Sequence, residues 1–254
     1  IEQNNLLAEE YNDIVKRKFQ INPKVIESKI EEYRNANLIL VPSNFVKKSF
    51  EKHNFKNIRV LNLNSSINNF YPHKKIKRSA EFFDIMFIGQ LSLQKGLHYL
   101  IDAFKKFKHP KKRLHIIGHH SEDKEFFEKK MVHENIIHYG QMKQEEINTL
   151  ANKCHVNVLP SIQDGWGLVV SQSSAAGCPN IVSENVGALD FVKKYKTGFS
   201  VPIKNSNSIL EKFELLCDDK SLWKELSFNG IKHSGESTWE EYIKKLEKII
   251  LDII

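Results

Sequence analysis

The stretch from Ser161 to Ser183 reads SIQDGWGLVVSQSSAAGCPNIVS. The apolar run just before it, Val156 to Leu159, suits a strand end that passes into a turn holding Pro160, Asp164, Gly165 and Gly167. A helix then starts near Gly167 and stops at Gly177. Pro179 follows where a helix must not continue, and Asn180 to Ser183 reads as another short strand. A glycine-containing turn that feeds a helix start presents unpaired backbone N–H groups and the positive end of a helix dipole. Such a turn can hold a phosphate without a lysine of its own.

Outward from this stretch the chain alternates strands and helices. FDIMFIG, ending at Gly89, is a continuous apolar run of the kind found in a strand buried on both faces. An amphipathic helix from Leu97 to Phe107 places Leu100, Ile101, Phe104 and Phe107 on one side. Strands at Leu114–Ile117 and Ile136–Tyr139 alternate with helices at Phe126–Val132 and Gln144–Asn152. Beyond Ser183 come a helix from Ala188 to Lys194, a strand from Gly198 to Val201, and helices at Ser206–Cys217, Ser221–His233 and Trp239–Ile254. This order predicts an α/β fold with right-handed crossovers and a doubly wound parallel sheet. Ligands on such a sheet sit beyond the carboxyl ends of the strands, where Gly89, Gly118, Gly140 and Pro160 fall.

Upstream, a charged helix over Ile1–Lys18 and a second from Pro23 precede a strand at Leu38–Val41. Ser43 is placed to cap a helix over Phe45–His53 whose Val46 and Phe50 face inward, and Ile58–Leu63 is another strand. The polar stretch Asn64 to Pro72, with Phe70 as its one large anchor, marks a domain boundary. The expected division is residues 1–72, 73–235 and 236–254.

At 254 residues and 41% hydrophobic composition the chain can bury a sizeable core, and its formal charge of +7 suits phosphate-bearing ligands. The excess lies in runs at Lys16–Lys18, Lys74–Arg78 and Lys105–Arg113, which read as solvated faces. Cys154, Cys178 and Cys217 lack paired spacing and suit reduced thiols. No apolar run approaches the ~20 residues of a membrane span. A nicotinamide fingerprint after Gly89, a P-loop, a nucleophile elbow and nucleic-acid motifs are absent, and His119–His120 has no partner at a metal spacing.

Three blocks in order, FIGQLSLQKGLHYLIDAF, NIIHYGQMKQEEINTLANKCHVNVLPS and the Ser161–Ser183 stretch, resemble the donor-binding half of a GT-B glycosyltransferase of the retaining group 1 type, family four. ANLILVPSNFVKKSF and NLNSSINNFYP resemble the end of that family's first domain and its crossover, so the likeness runs from about Tyr33 to the carboxyl terminus. It implies a Rossmann-like domain that binds a nucleotide sugar as substrate, with no metal. The expected activity is transfer of a hexosyl-type sugar, with retention, to a glycan or lipid-linked acceptor.

In that family a basic pair after the first donor-domain strand neutralises the leaving diphosphate. Lys95 matches the lysine, and Gln90 stands at the arginine position. Of the two signature glutamates, the first touching donor sugar and the second ribose, this chain holds Asp164 and Gln172. The amides of Gly165, Trp166, Gly167 and Leu168 would cradle the diphosphate, and Gly140, Gln141 and Met142 would run beside the base, with Ser121 a looser candidate. Plain alternatives stay open: a solvated Lys95, a turn-capping Asp164, and a Trp166 that covers the sheet end.

The resemblance further implies a longer enzyme whose acceptor domain precedes residue 1, a cytoplasmic setting, peripheral contact with the inner membrane face, and a role in polysaccharide assembly. It also implies a terminal helix that crosses back to the first domain, leaving Ile249, Ile250, Ile253 and Ile254 partly exposed. Because Gln90, Asp164 and Gln172 all depart from the family pattern, a non-catalytic nucleotide-sugar-binding module of the same fold is the alternative, and an epimerase a third reading.

Overall fold

The computed structural model describes residues 2–16, 18–19, 21–63, 68–120 and 123–252. Helices α1 (Glu2–Val15) and α2 (Pro23–Asn35) lead to strand β1 (Ile39–Val41), helix α3 (Asn44–Lys52) and strand β2 (Ile58–Val60). β1 and β2 pair in parallel, Ile39 opposite Ile58. Ser43 caps α3 by accepting from the Val46 N–H at 3.2 Å. Val46 and Phe50 are only half-buried, because α3 rests on aromatic edges (Phe50 against Tyr33 and Phe55) and not on a full sheet. Residues 64–67 of the expected boundary lie outside the described residues, and Phe70 is buried as an anchor.

From β3 (Phe83–Ile88) onward each strand is followed by a helix: α4 (Leu97–Lys106), β4 (Lys112–Ile117), α5 (Lys124–Lys130), β5 (Ile136–His138), α6 (Gln144–Lys153), β6 (Val156–Leu159), α7 (Leu168–Ala175), β7 (Asn180–Ser183), α8 (Leu189–Tyr195), β8 (Gly198–Val201). Helices α9 (Ser206–Asp218), α10 (Lys220–His233) and α11 (Trp239–Leu251) complete the chain. Six strands form one parallel sheet in the order β5-β4-β3-β6-β7-β8. The winding reverses between β3 and β6, where Ile85 pairs with Val156. Loops leaving those two strands diverge, which opens a crevice at their carboxyl ends.

Alternation along β3 divides the core. Phe83, Ile85 and Phe87 join the main apolar cluster with Leu100, Ile101 and Phe104 of α4 and Phe213 of α9, whereas Met86 joins a smaller one with Leu150, Ala151, Cys154 and Cys178. Burying each large apolar side chain of this set stabilises the fold by roughly 1.5–3 kcal/mol. Leu7 and Tyr11 of α1 also belong to the main cluster. All three cysteines are free.

Two of the basic runs are not wholly solvated. Arg78 donates to the carbonyls of Cys154 (2.8 Å), Ala176 (3.3 Å) and Gly177 (2.7 Å) and lies 4.6 Å from the Trp223 ring centroid. Lys112 is buried, its ammonium donating to the carbonyls of Phe104 and Phe107 at the end of α4. Arg113 grips Asp84 through two bonds of 2.6 and 2.9 Å. The last carbonyls of a helix and a buried carboxylate are strong acceptors, and the long side chains reach them from exposed backbone. Burial lowers the pKa of both Arg78 and Lys112.

The terminal helix α11 has no fully buried residue, Ile249 is partly covered, and Ile250 is exposed. Asp252 meets Arg59 of the upstream segment at 3.0 Å. Ile253 and Ile254 lie outside the described residues.

Candidate functional site

The loop after β3 turns back at Leu93–Lys95, and Gly96 follows with φ +66°. A Cβ on Gly96 would lie 2.0 Å from the Pro160 carbonyl oxygen, so the glycine permits both the left-handed turn and the approach to the end of β6. The Ile162 N–H donates to the Gln94 carbonyl at 2.8 Å, stitching the two loops together. Across this seam Lys95 Nζ stands 2.6 Å from Asp164 Oδ2, the side chains 24% and 16% exposed.

Asp164 is held by its backbone as well. Its N–H donates to the Asn185 carbonyl and its own carbonyl accepts from the Gly187 N–H, both at 2.9 Å. Its Oδ1 accepts from the Trp166 N–H at 3.2 Å, as in an Asx turn. One carboxylate oxygen of Asp164 thus serves the turn, and the other meets the Lys95 ammonium.

The Trp166 amide is thus occupied, and its ring is buried in the main cluster. The N–H groups of Gly165, Gly167 and Leu168 have no partner among the described residues. They stand at the start of α7, which Gly167 caps at φ +91°. Three unpaired donors at a helix start beside an ammonium group are chemistry suited to an anion, partly balanced by one carboxylate. A pocket of about 380 Å³ is lined by Lys95, Asp164 and the 165–168 turn, with Pro42, Leu63, Gly89 and Leu159 among its other walls.

Gln90, Gln172, Gly140, Gln141 and Met142 do not line that pocket. Gln90 is exposed after β3, and Gln172 is half-buried on α7. Gly140 accepts from the Gly118 N–H at 2.8 Å, and Gln141 reaches His119 Nδ1 at 3.4 Å. Met142 packs on the smaller apolar cluster. Ser121 lies outside the described residues. His120 and His138 meet edge to face at 5.0 Å, and burial, then the neighbouring His138, lowers the His120 pKa. Among the described residues no group of three or more His, Cys, Asp or Glu side chains is placed to hold a metal ion.

Sequence reading missed the upstream clasp on this site. Ser43 Oγ, completely buried, donates to the Gly165 carbonyl at 2.9 Å while capping α3. Asn44 donates twice to Asp190 Oδ2 of α8. Gly187 sits under both, since a Cβ there would meet the Gly165 carbonyl oxygen at 2.1 Å and Ser43 Oγ at 2.6 Å. The only signal in the sequence was the N-cap serine itself.

The family model of the glycosyl transferases group 1 matches residues 72–233. An uncharacterized glycosyltransferase of Methanocaldococcus jannaschii is 26% identical over 218 residues, covering 85% of this chain and 59% of its own. A capsular polysaccharide biosynthesis glycosyltransferase of Staphylococcus aureus is 29% identical over 185 residues, covering 68% and 48%. The chain thus spans only about half to three fifths of the length of these relatives. Among solved structures, Anabaena HepE in complex with UDP and glucose matches with a TM-score of 0.80 at 16% identity, over 92% of this chain and 68% of that one. That likeness speaks for the fold alone.

Proposed function

We propose, from the fact that the chain belongs to the group 1 glycosyl transferases, that it holds the nucleotide-sugar donor of a hexosyl transfer at the Lys95–Asp164 pair. One observation carries the reading. At the switch point of the sheet, a lysine and a carboxylate 2.6 Å apart share a pocket with three helix-start amides that have no internal partner among the described residues. The donor diphosphate lies against the amides of Gly165, Gly167 and Leu168 and takes the Lys95 ammonium as counter-charge. Asp164, released from Lys95, accepts from a donor-sugar hydroxyl.

In the transfer the bond from the anomeric carbon to the phosphate oxygen breaks and a bond to the acceptor hydroxyl oxygen forms on the same face, with retention. The acceptor proton passes to the departing phosphate oxygen. Lys95 and the amides stabilise the charge that develops there, without a metal in this reading. Gln172 serves the ribose, Gln90 borders the phosphates and the 140–142 turn borders the base.

The capsular polysaccharide relative supports polysaccharide or glycoconjugate assembly as the setting, and a glycan or lipid-linked hydroxyl as acceptor. A cytoplasmic setting with peripheral contact at the inner membrane face goes with this reading; among the described residues no helix is long and apolar enough to cross a membrane. The loss of charge at Gln90 and Gln172 favours one rival, a module that binds donor without turning it over.

Calorimetric titration with UDP, GDP and ADP and their sugar conjugates tests the proposal. Selective binding of one diphosphate, weakened by Lys95→Ala, is expected; no binding of any of them overturns it. Binding with neither donor hydrolysis nor transfer by the longest natural form establishes the rival.

A further inference from the structure

On the far side of the Lys95 turn, a carboxylate from the upstream helix is plugged into the donor-binding unit. Glu10 of α1 is buried, its side chain 4% exposed, and it follows Leu7 by three residues, on the same side of the helix. Its Oε1 receives His98 Nε2 at 2.6 Å and the Tyr99 hydroxyl at 2.7 Å, both from the first turn of α4. Its Oε2 receives Lys204 Nζ at 2.9 Å, from the turn after β8. Lys204 adopts φ +55° and also points its ammonium at the Leu6 carbonyl, 3.4 Å away. A carboxylate can only accept, so His98 donates through Nε2; its Nδ1 is buried with no partner among the described residues.

The socket has a cost and a consequence. Burial alone raises the Glu10 pKa, yet the bonds from His98, Lys204 and Tyr99 outweigh it and hold the group at about 2, so Glu10 stays charged in place. An ionised group buried this deeply is retained only where its partners are fixed, which ties α1 to α4 at one orientation. Helix α1 then lies against the Leu93–Lys95 turn, and Leu7 and Tyr11 share the main apolar cluster with Leu93 and Leu97. Lys95 is three residues before His98, on the backbone that the socket clamps.

We infer that Glu10 is a positioning residue for Lys95: its carboxylate, seated between His98, Tyr99 and Lys204, presses α1 onto the Leu93–Lys95 turn and so presets the ammonium that meets the donor diphosphate. The inference rests on the diphosphate reading of Lys95 given above. Glu10 itself touches no substrate, and its effect passes through the turn.

A double-mutant cycle of Glu10→Ala and Lys95→Ala, read by calorimetric titration with UDP, GDP and ADP, tests this. Glu10→Ala is expected to weaken diphosphate binding about fivefold at a temperature where the variant is folded, and to have no further effect in the Lys95→Ala background. Glu10→Gln, which keeps an acceptor for Tyr99 and His98, should recover part of the loss. Should Glu10→Ala fail to fold, Lys204→Met removes one donor of the socket at a less buried position and carries the same cycle. An equal loss in both backgrounds, or full affinity in a folded socket variant, overturns the inference while leaving the diphosphate site intact. No binding by the unsubstituted chain overturns both.

Discussion

Lys95 Nζ lies 2.6 Å from Asp164 Oδ2 although the residues are 69 positions apart and enter the pocket on different loops. On the proposed reading, an incoming diphosphate competes with Asp164 for the lysine. Removing the competitor by Asp164→Asn is expected to tighten binding of the bare nucleoside diphosphate about threefold, while Lys95→Ala weakens it about tenfold. Turnover of the sugar conjugate should fall in both variants. Titration and donor-consumption assays read these separately, and equal loss of diphosphate affinity in the two variants would assign Asp164 to the nucleotide instead of the sugar.

The clasp between Ser43 and Gly165 predicts a stability effect at a distance from any ligand. Ser43→Ala removes a helix cap and a buried bond to the Gly165 carbonyl, for a loss of about 1–2 kcal/mol. Gly187→Ala forces a Cβ into the same carbonyl and should cost about 2–3 kcal/mol. Because both changes act on one carbonyl, their sum is expected to be non-additive. Denaturant unfolding of the two variants and their double checks this; strict additivity would separate the two contacts.

Arg78 and Lys75 sit in one basic run and should behave oppositely. Arg78→Gln removes the guanidinium that donates to the Cys154 and Ala176 carbonyls, leaves the Gly177 carbonyl to Ser227 alone and strips a cation from the Trp223 face, for a loss of about 2–3 kcal/mol. Exposed Lys75→Gln should stay within about 0.5 kcal/mol of the unsubstituted protein. Thermal unfolding distinguishes them, and equal midpoints would return Arg78 to the solvated face.

Acid stability follows from two buried carboxylates. Burial raises the Asp84 pKa, but bonds from His115 and Arg113 more than reverse this and hold it at about 2, below its ordinary 3.8. Glu10 is held at about 2 against 4.5. A folded-state pKa below the unfolded one means stability that is fully present above the unfolded value and is lost as pH falls through the folded one. Each group is expected to contribute on the order of 2–3 kcal/mol at neutral pH, lost between about pH 4.5 and 2. Asp84→Asn should flatten that part of the stability-versus-pH curve, and an unchanged acid limb would contradict the assignment.

Periodicity and punctuation made most of the six-stranded unit legible before any coordinates. FDIMFIG became the buried central strand, Leu100, Ile101 and Phe104 became the inner face of α4, and Gly167 and Gly177 bracketed α7. These signals are local: a strand alternates every two residues and a helix turns every 3.6, so a short window holds the information. Lys95 and Asp164 could be named one by one for the same reason, through the turn chemistry around each and the family's motif order.

Their contact, and the supports around it, could not be read that way. Ser43 meets Gly165 across 122 positions and Glu10 meets His98 across 88, distances over which no sequence pattern specifies a partner. Arg78 and Lys112 looked like solvent charges because composition cannot show that helix-end carbonyls stand within reach of their side chains. Local chemistry determines which backbone forms where, whereas the pairing of charges waits on the winding of the sheet, which brings the loops after β3 and β6 to one crevice and seats α1 against one wall of it.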